Sequence, residues 1–290
     1  MSAALCKTRP AFTLIELLVV IGIAALLAGL LLPVLGSARD AANQLNAQSA
    51  LRQLLLGYTV YQNDSDGHVL YGYPPPTLGG QPITVQADSG HTFSGWAAER
   101  YPWRLTPYID DIWELLHLHA SVPPIPLADD SQSEAELKAY DLSLAPAFGI
   151  NSIYVGGHQG PAFEGFVTAG GVNLPNKGKH VVFRDLEVRR PSSLIVFAET
   201  KERQGTSTDP NTGLHFATPP HADGHRWRAP DDRFEIMKPG HITGLPEGRY
   251  SAATTTGFFD GHVSVLRPRA LDDMRLWANQ ATTPDYDFKP

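Results

Sequence analysis

Cysteine is nearly absent from the 290-residue chain, which holds one, Cys6, close to its start. If residues 1–11 are a removable leader, what remains has none, which excludes disulfides and thiolate metal centres. Cys6 does not read as a lipidation site, because Leu5 is bulky and no hydrophobic segment precedes it. Positive charge is also in short supply, with 23 Lys and Arg against 30 Asp and Glu. The formal charge of −7 becomes −9 once Lys7 and Arg9 leave with the leader. Such a body repels nucleic acid, and no basic stripe opposes that, so nucleic acid is not an expected partner. Signatures of catalysis are missing too: there is no HExxH, no GxSxG and no phosphate-binding glycine loop. Neither enzymatic activity nor a cofactor is expected.

What is present is a long apolar run, AFTLIELLVVIGIAALLAGLLLP, over residues 11–33. From Phe12 to Leu32 there are 21 residues, and Glu16 is the only charge among them. At roughly 1.5 Å per residue a helix of that length crosses about 30 Å of hydrocarbon. Lys7 and Arg9 flank its N-terminal side, which predicts a cytoplasmic start and an extracytoplasmic body from residue 37 onward. A plain signal-anchor would look similar. A cleaved signal peptide ending near Gly36–Ala38 would need a hydrophobic run well beyond the usual span of roughly 7–15 residues.

Neither alternative explains Glu16. A carboxylate inside a membrane segment costs roughly 2–3 kcal/mol on insertion scales, so it is expected to be paired or functional. No Lys, Arg or His lies within the segment to pair with it. A new α-amino group at Phe12 would supply the missing positive charge.

A short basic leader, a small residue and then FTLIELLVVI resembles the N-terminus of type IV prepilins and type II secretion pseudopilins. The resemblance implies that prepilin peptidase cuts between Ala11 and Phe12 and methylates Phe12. It also implies that Glu16 meets the N-terminal amine of a neighbouring subunit during assembly. Its other implied partners are further pilin or pseudopilin subunits, the inner-membrane secretion machinery and the membrane itself. The chain departs from the family in one place, with Ala11 where glycine is usual.

The expected organisation is a leader over residues 1–11, a transmembrane helix over 12–35, an amphipathic continuation over 36–61 and an extracytoplasmic head over 62–290. Pro33 should kink the helix. Beyond it Ala38, Ala41, Ala42, Leu45, Ala47, Leu51, Leu54 and Tyr58 recur at helical spacing. Asn63-Asp-Ser-Asp-Gly67 reads as a helix-ending turn, since a calcium-loop register would place Gln62 and Tyr73 at its ends. The segment 72–90 is rich in Gly and Pro and reads as loop. Trp96, Trp103, Leu105, Tyr108, Ile109 and Trp113 read as an aromatic core patch, with glycan contact as the alternative for any that are exposed. A short helix is predicted near 133–137 from the Ser133–Glu136 capping box.

Strands are predicted at Val181–Phe183, Leu194–Ala198 and Leu214–Phe216. The clearest hairpin is predicted over 254–266, with Asp260-Gly261 as a two-residue type I′ turn. A last helix near 269–280 should bury Leu271, Met274 and Trp277. The fold class is α+β: a long N-terminal helix packed on an antiparallel sheet.

A second resemblance covers the C-terminal part. Many bacterial chains with this N-terminus end in His, nine residues, then Asp-Gly, and here Asp260-Gly261 is in place while Tyr250 stands where the His would be. The stretches FGINS at 148–152 and PSSLIVFAE at 191–199 resemble the same group. Eleven histidines raise the question of a metal. His117 and His119 have strand spacing in a helix-like context. His221, Asp223 and His225 have helix spacing, but Pro219, Pro220 and Gly224 oppose a helix. Asp-Gly-His occurs at 66–68, 223–225 and 260–262, and turn chemistry explains the Asp-Gly but not the His. A structural, filament-forming subunit is the expected function, with a membrane-anchored binding or hydrolytic head, for glycan or metal, as the alternative.

Overall fold

A computed structural model describes residues 13–86, 90–118, 132–159, 165–175, 180–201, 213–222, 225–238, 244–250 and 252–286. The chain divides into two compact units, residues 1–43 and 44–290. Helix α1 runs Leu14–Asp64, and Pro33 lies inside it without ending it. In the first unit the described residues through Ala42 are exposed, among them Leu14, Ile15, Leu26, Leu30 and Leu35. By length and composition this part of α1 is apolar enough to cross a membrane.

Chemistry at the end of α1 explains why it stops. Asp66 and Gly67 both take positive φ, 52° and 75°. The Gly67 amide donates to the Gln62 carbonyl at 2.9 Å, which is the six-to-one bond of a Schellman turn. Asp64 is engaged by Tyr108, whose hydroxyl donates to its Oδ2 at 2.8 Å.

The second unit is built on a four-stranded sheet of β1 (Phe148–Ile150), β2 (Ile195–Glu199), β3 (Thr254–Phe258) and β4 (Val263–Leu266). Its spatial order is β4-β3-β2-β1 and every pairing is antiparallel. Each strand therefore lies beside its neighbour in sequence, and the long connections carry everything else. Because successive strand residues point to opposite faces, the sheet has two distinct sides. On one, Gly257 sits opposite Phe197, and the part of α1 from Ala47 to Gln62 covers them. Tyr58 meets Phe197 edge-to-face at 5.7 Å. Gly257 permits the close approach: a Cβ there would stand 2.8 Å from Leu55 Cδ1 and 3.2 Å from Leu51 Cγ.

A register shift between Gly257 and Phe258 breaks the alternation, and Ile195 and Phe258 pair and pack on the other side with Trp227, Leu271, Met274 and Trp277. Asn151 ties the layers, its side-chain amide donating to the carbonyls of Ile195 and Trp277. Smaller antiparallel pairs, including Thr84–Gln86 with Thr92–Ser94 and Phe166–Ala169 with Val172–Pro175, surround this core. The long N-terminal helix with antiparallel sheets is the α+β arrangement expected from sequence.

Local readings fared unevenly. Leu194–Ala198 corresponds to β2, but Val182 and Phe216 form only isolated bridges, to Val155 and Ile150. The last helix is shorter than expected: α5 covers Pro268–Leu271 and a 3-10 turn covers Met274–Leu276. Leu271, Met274 and Trp277 are nonetheless fully buried. Helices α2 (Tyr101–Leu105) and α3 (Ile112–Leu116) carry Trp103 and Trp113 into the core. Helix α4, Gln132–Leu144, is longer than the short helix predicted near 133–137.

Candidate functional site

The start of α1 holds the most specific polar geometry in the apolar run. Glu16 Oε2 accepts from the Thr13 amide at 2.9 Å and from the Thr13 hydroxyl at 2.7 Å. The Glu16 amide in turn donates to Thr13 Oγ1 at 3.3 Å. This reciprocal pattern is a capping box, which satisfies donors that the first turn of a helix leaves open. Its signal, Thr-x-x-Glu, is local in the sequence, at Thr13 and Glu16, beside the membrane charge and assembly role expected of Glu16. Ala11, Phe12, Lys7 and Arg9 lie outside the described residues.

The second site is the Asp260-Gly261 hairpin. The pairing Gly257 with Val263 is followed by a bond from the Phe258 amide to the His262 carbonyl at 3.0 Å. The loop is therefore Phe259-Asp260-Gly261, three residues long, and the two-residue type I′ reading is corrected. The Gly261 amide donates to the Phe258 carbonyl at 2.9 Å, and Gly261 alone in the loop has positive φ, 89°. This is the three-residue hairpin in which glycine takes the left-handed position after a tight turn.

The tip is fastened to the segment leading into β2, with Phe259 and Asp260 amides donating to the carbonyls of Leu194 and Pro191. His262 is accounted for by its surroundings. Its Nδ1 lies 2.6 Å from Asp260 Oδ1, and its ring stacks on Phe258 with centroids 4.2 Å apart. These bonds hold the Asp260 carboxyl below its ordinary range even though partial burial opposes the shift.

Tyr250, at the position where the related pattern has His, packs half-buried against the main core. The ionic centre of this region lies one residue earlier. Arg249 donates to the carbonyls of Ala147 and Thr200 at 2.8 and 2.7 Å and faces Glu199 at 4.0 Å. Glu199 is 1% exposed and accepts from the Thr255 amide at 2.8 Å. Burial pushes its carboxyl up, and Arg249 opposes that. Sequence reading missed this pair because its partners are distant in the chain.

The histidines separate. His221 and His225 lie on two paired strands, His221–Ala222 and His225–Arg228, not on a helix. His221 is buried, its amide 3.4 Å from Met274 Sδ, while Asp223 and the side chain of His225 lie outside the described residues. His117 sits at the end of α3, Nε2 at 3.1 Å from the Leu142 carbonyl, and His119 is outside the described residues. His68 Nδ1 lies 2.9 Å from the Ser65 carbonyl, so two of the three Asp-Gly-His tripeptides are turns whose His is bonded locally. Among the described residues no three His, Cys, Asp or Glu side chains gather as a metal site.

A buried polar cluster stands apart from both sites. Ser152 Oγ lies 2.7 Å from His158 Nδ1, and Tyr73 packs between His158 and His215 with centroids at 5.1 and 5.2 Å. Burial lowers His158 to about 3 and lowers His215 well below its ordinary value, with Arg100 and Arg104 adding to the shift at His215.

A long apolar helix capped by Thr13 and Glu16, ahead of an α+β head, is the architecture of a pilin-like protein. The model of the prokaryotic N-terminal methylation motif matches residues 6–32, which supports a type IV pilin- or pseudopilin-like protein of the prepilin-processed kind. No curated protein and no solved structure matches the chain.

Proposed function

We propose that the chain is a structural subunit of a type II secretion pseudopilus or type IV pilus-like filament, acting by packing and not by catalysis. Prepilin peptidase cuts between Ala11 and Phe12 and methylates Phe12. Residues 12–35 then span the inner membrane, with the head on the extracytoplasmic side. Its partners are other pilin or pseudopilin subunits and the inner-membrane secretion machinery.

Glu16 is the observation that carries this reading. Among residues 13–32 it is the one charge on an exposed, apolar stretch of helix, and Thr13 holds it by neutral donors. A neighbouring N-terminal ammonium would add the opposite charge that Thr13's neutral donors do not supply. In a plain anchor Glu16 would add only its capping bonds to Thr13, a gain of about 1 kcal/mol against the roughly 2–3 kcal/mol that a carboxylate costs in a membrane segment.

Mass spectrometry of the mature chain should find Phe12 at the N-terminus with one added methyl group. An intact Met1, or a start at residue 37 or later, would refute the assignment. Glu16→Ala should insert in the membrane and be cleaved, yet enter sheared filaments poorly. Normal incorporation would remove Glu16 from the mechanism.

A further inference from the structure

Most aromatic side chains of the head are inside it: Trp103 is 2% exposed, Trp113 9%, and Trp227 and Trp277 are fully buried. Trp96 is 70% exposed. It follows Gly95, whose φ of 60° turns the chain out of the Thr92–Ser94 strand and presents the indole to solvent. Its neighbour is Tyr140 on α4, with ring centroids 6.0 Å apart and planes inclined by 57°. Beneath them lies Arg100, 4% exposed, with its guanidinium carbon 4.0 Å from the Tyr140 ring centroid. The same guanidinium donates to the Trp96 carbonyl at 3.2 Å. One buried cation thus fixes the backbone of one aromatic residue and the ring of the other. Among the described residues its Nε has no hydrogen-bond partner, so hydrogen bonding alone does not explain why Arg100 is buried there.

We propose that Trp96 and Tyr140, braced by Arg100, form a carbohydrate-binding corner on the head. The exposed Trp96 indole presents a negative π face, which the weakly positive C–H bonds of a pyranose ring complement, and the half-buried Tyr140 ring, with Arg100 on one face, stands inclined beside it. The surroundings favour a sugar over a protein. Around the two rings the exposed surface of α4 includes apolar Leu137 but also charged Asp141, and Ser94 is exposed two residues before Trp96. An apolar island of ring size with a polar rim suits one or two hydroxylated sugar units. A stable protein interface needs on the order of 800 Å² per partner. This assignment does not depend on filament assembly, because the corner lies wholly in the head.

Full-length protein and its variants in mild detergent are titrated calorimetrically with cellotetraose, chitotetraose and maltotetraose, and tryptophan emission of the wild type is followed in parallel. At least one sugar should shift and quench the emission saturably. Trp96→Ala should weaken that binding by about tenfold or more with an unchanged melting temperature, whereas Trp96→Phe should keep most of it. Tyr140→Leu should also weaken binding. No response to any of the three sugars, or a response that Trp96→Ala leaves intact, overturns the proposal. So does loss of filament incorporation in Trp96→Ala without any sugar response, which would make the corner a protein contact.

Discussion

Acidification should loosen the head through two buried histidines. His158 is held at about 3 by burial, against about 6.5 in an unfolded chain. The folded value lies below the unfolded one, so the unfolded chain takes up the proton first. The stabilisation is complete above about pH 6.5 and declines as pH falls toward 3. Between pH 7 and pH 5 the unfolded chain gains most of a proton at this site and the folded chain almost none. The difference is about 2 kcal/mol from His158. His215, shifted the same way beside Tyr73 and Phe216, adds a loss of the same sign.

Glu99 and Glu199, both pushed up by burial, act in the opposite direction, so the raw slope of the wild type is not the test. The comparison is between a soluble head fragment beginning at Ser37 and its His158→Gln/His215→Gln variant, each unfolded in urea at several pH values. The wild type should lose at least about 2 kcal/mol more than the variant between pH 7 and pH 5. Parallel stability curves would refute the claim that these imidazoles are buried neutral.

Two glycines give further tests. Gly257→Val should destabilise the head by about 1–3 kcal/mol, because its side chain would run into Leu55 and Leu51 and push α1 off β3; urea midpoints check this. A Cβ at Gly261 meets no described atom within 4 Å, so the expected loss of about 1–2 kcal/mol in Gly261→Val comes from conformational strain, and Gly261→Asn should lose less in the same urea unfolding.

Features set by neighbours in sequence were the readable ones. The apolar run with Glu16, the turn at Asp66-Gly67 and the hairpin around Asp260-Gly261 follow from local chemistry, and each is in place. The hairpin type was misread because Asp-Gly fits both two- and three-residue loops. Which one forms depends on the register fixed by Thr254–Gly257 against Val263–Leu266. Strand pairing across long connections left no local trace: β1 is only Phe148–Ile150, and its place beside β2 is decided by burial. Aromatic identity likewise could not separate Trp96 from Trp103 and Trp113. Exposure depends on where α4 lies, and Trp103 donates its indole N–H to Ala139 of that helix. The Glu199–Arg249 pair was hidden for the same reason.

The cover that β3 provides for α1 also fixes when the head can fold. The face of α1 bearing Ala47, Leu51, Leu54, Leu55 and Tyr58 is made early in synthesis, but the strand that closes over it, Thr254–Phe258, is made near the end. In the proposed topology, the chain crosses the membrane with this apolar face uncovered until its last strands emerge. Export and folding are thereby put in order: translocation first, closure afterwards. A product broken off before the final hairpin would leave the spine sticky, which marks it for aggregation or proteolysis before it could join any assembly.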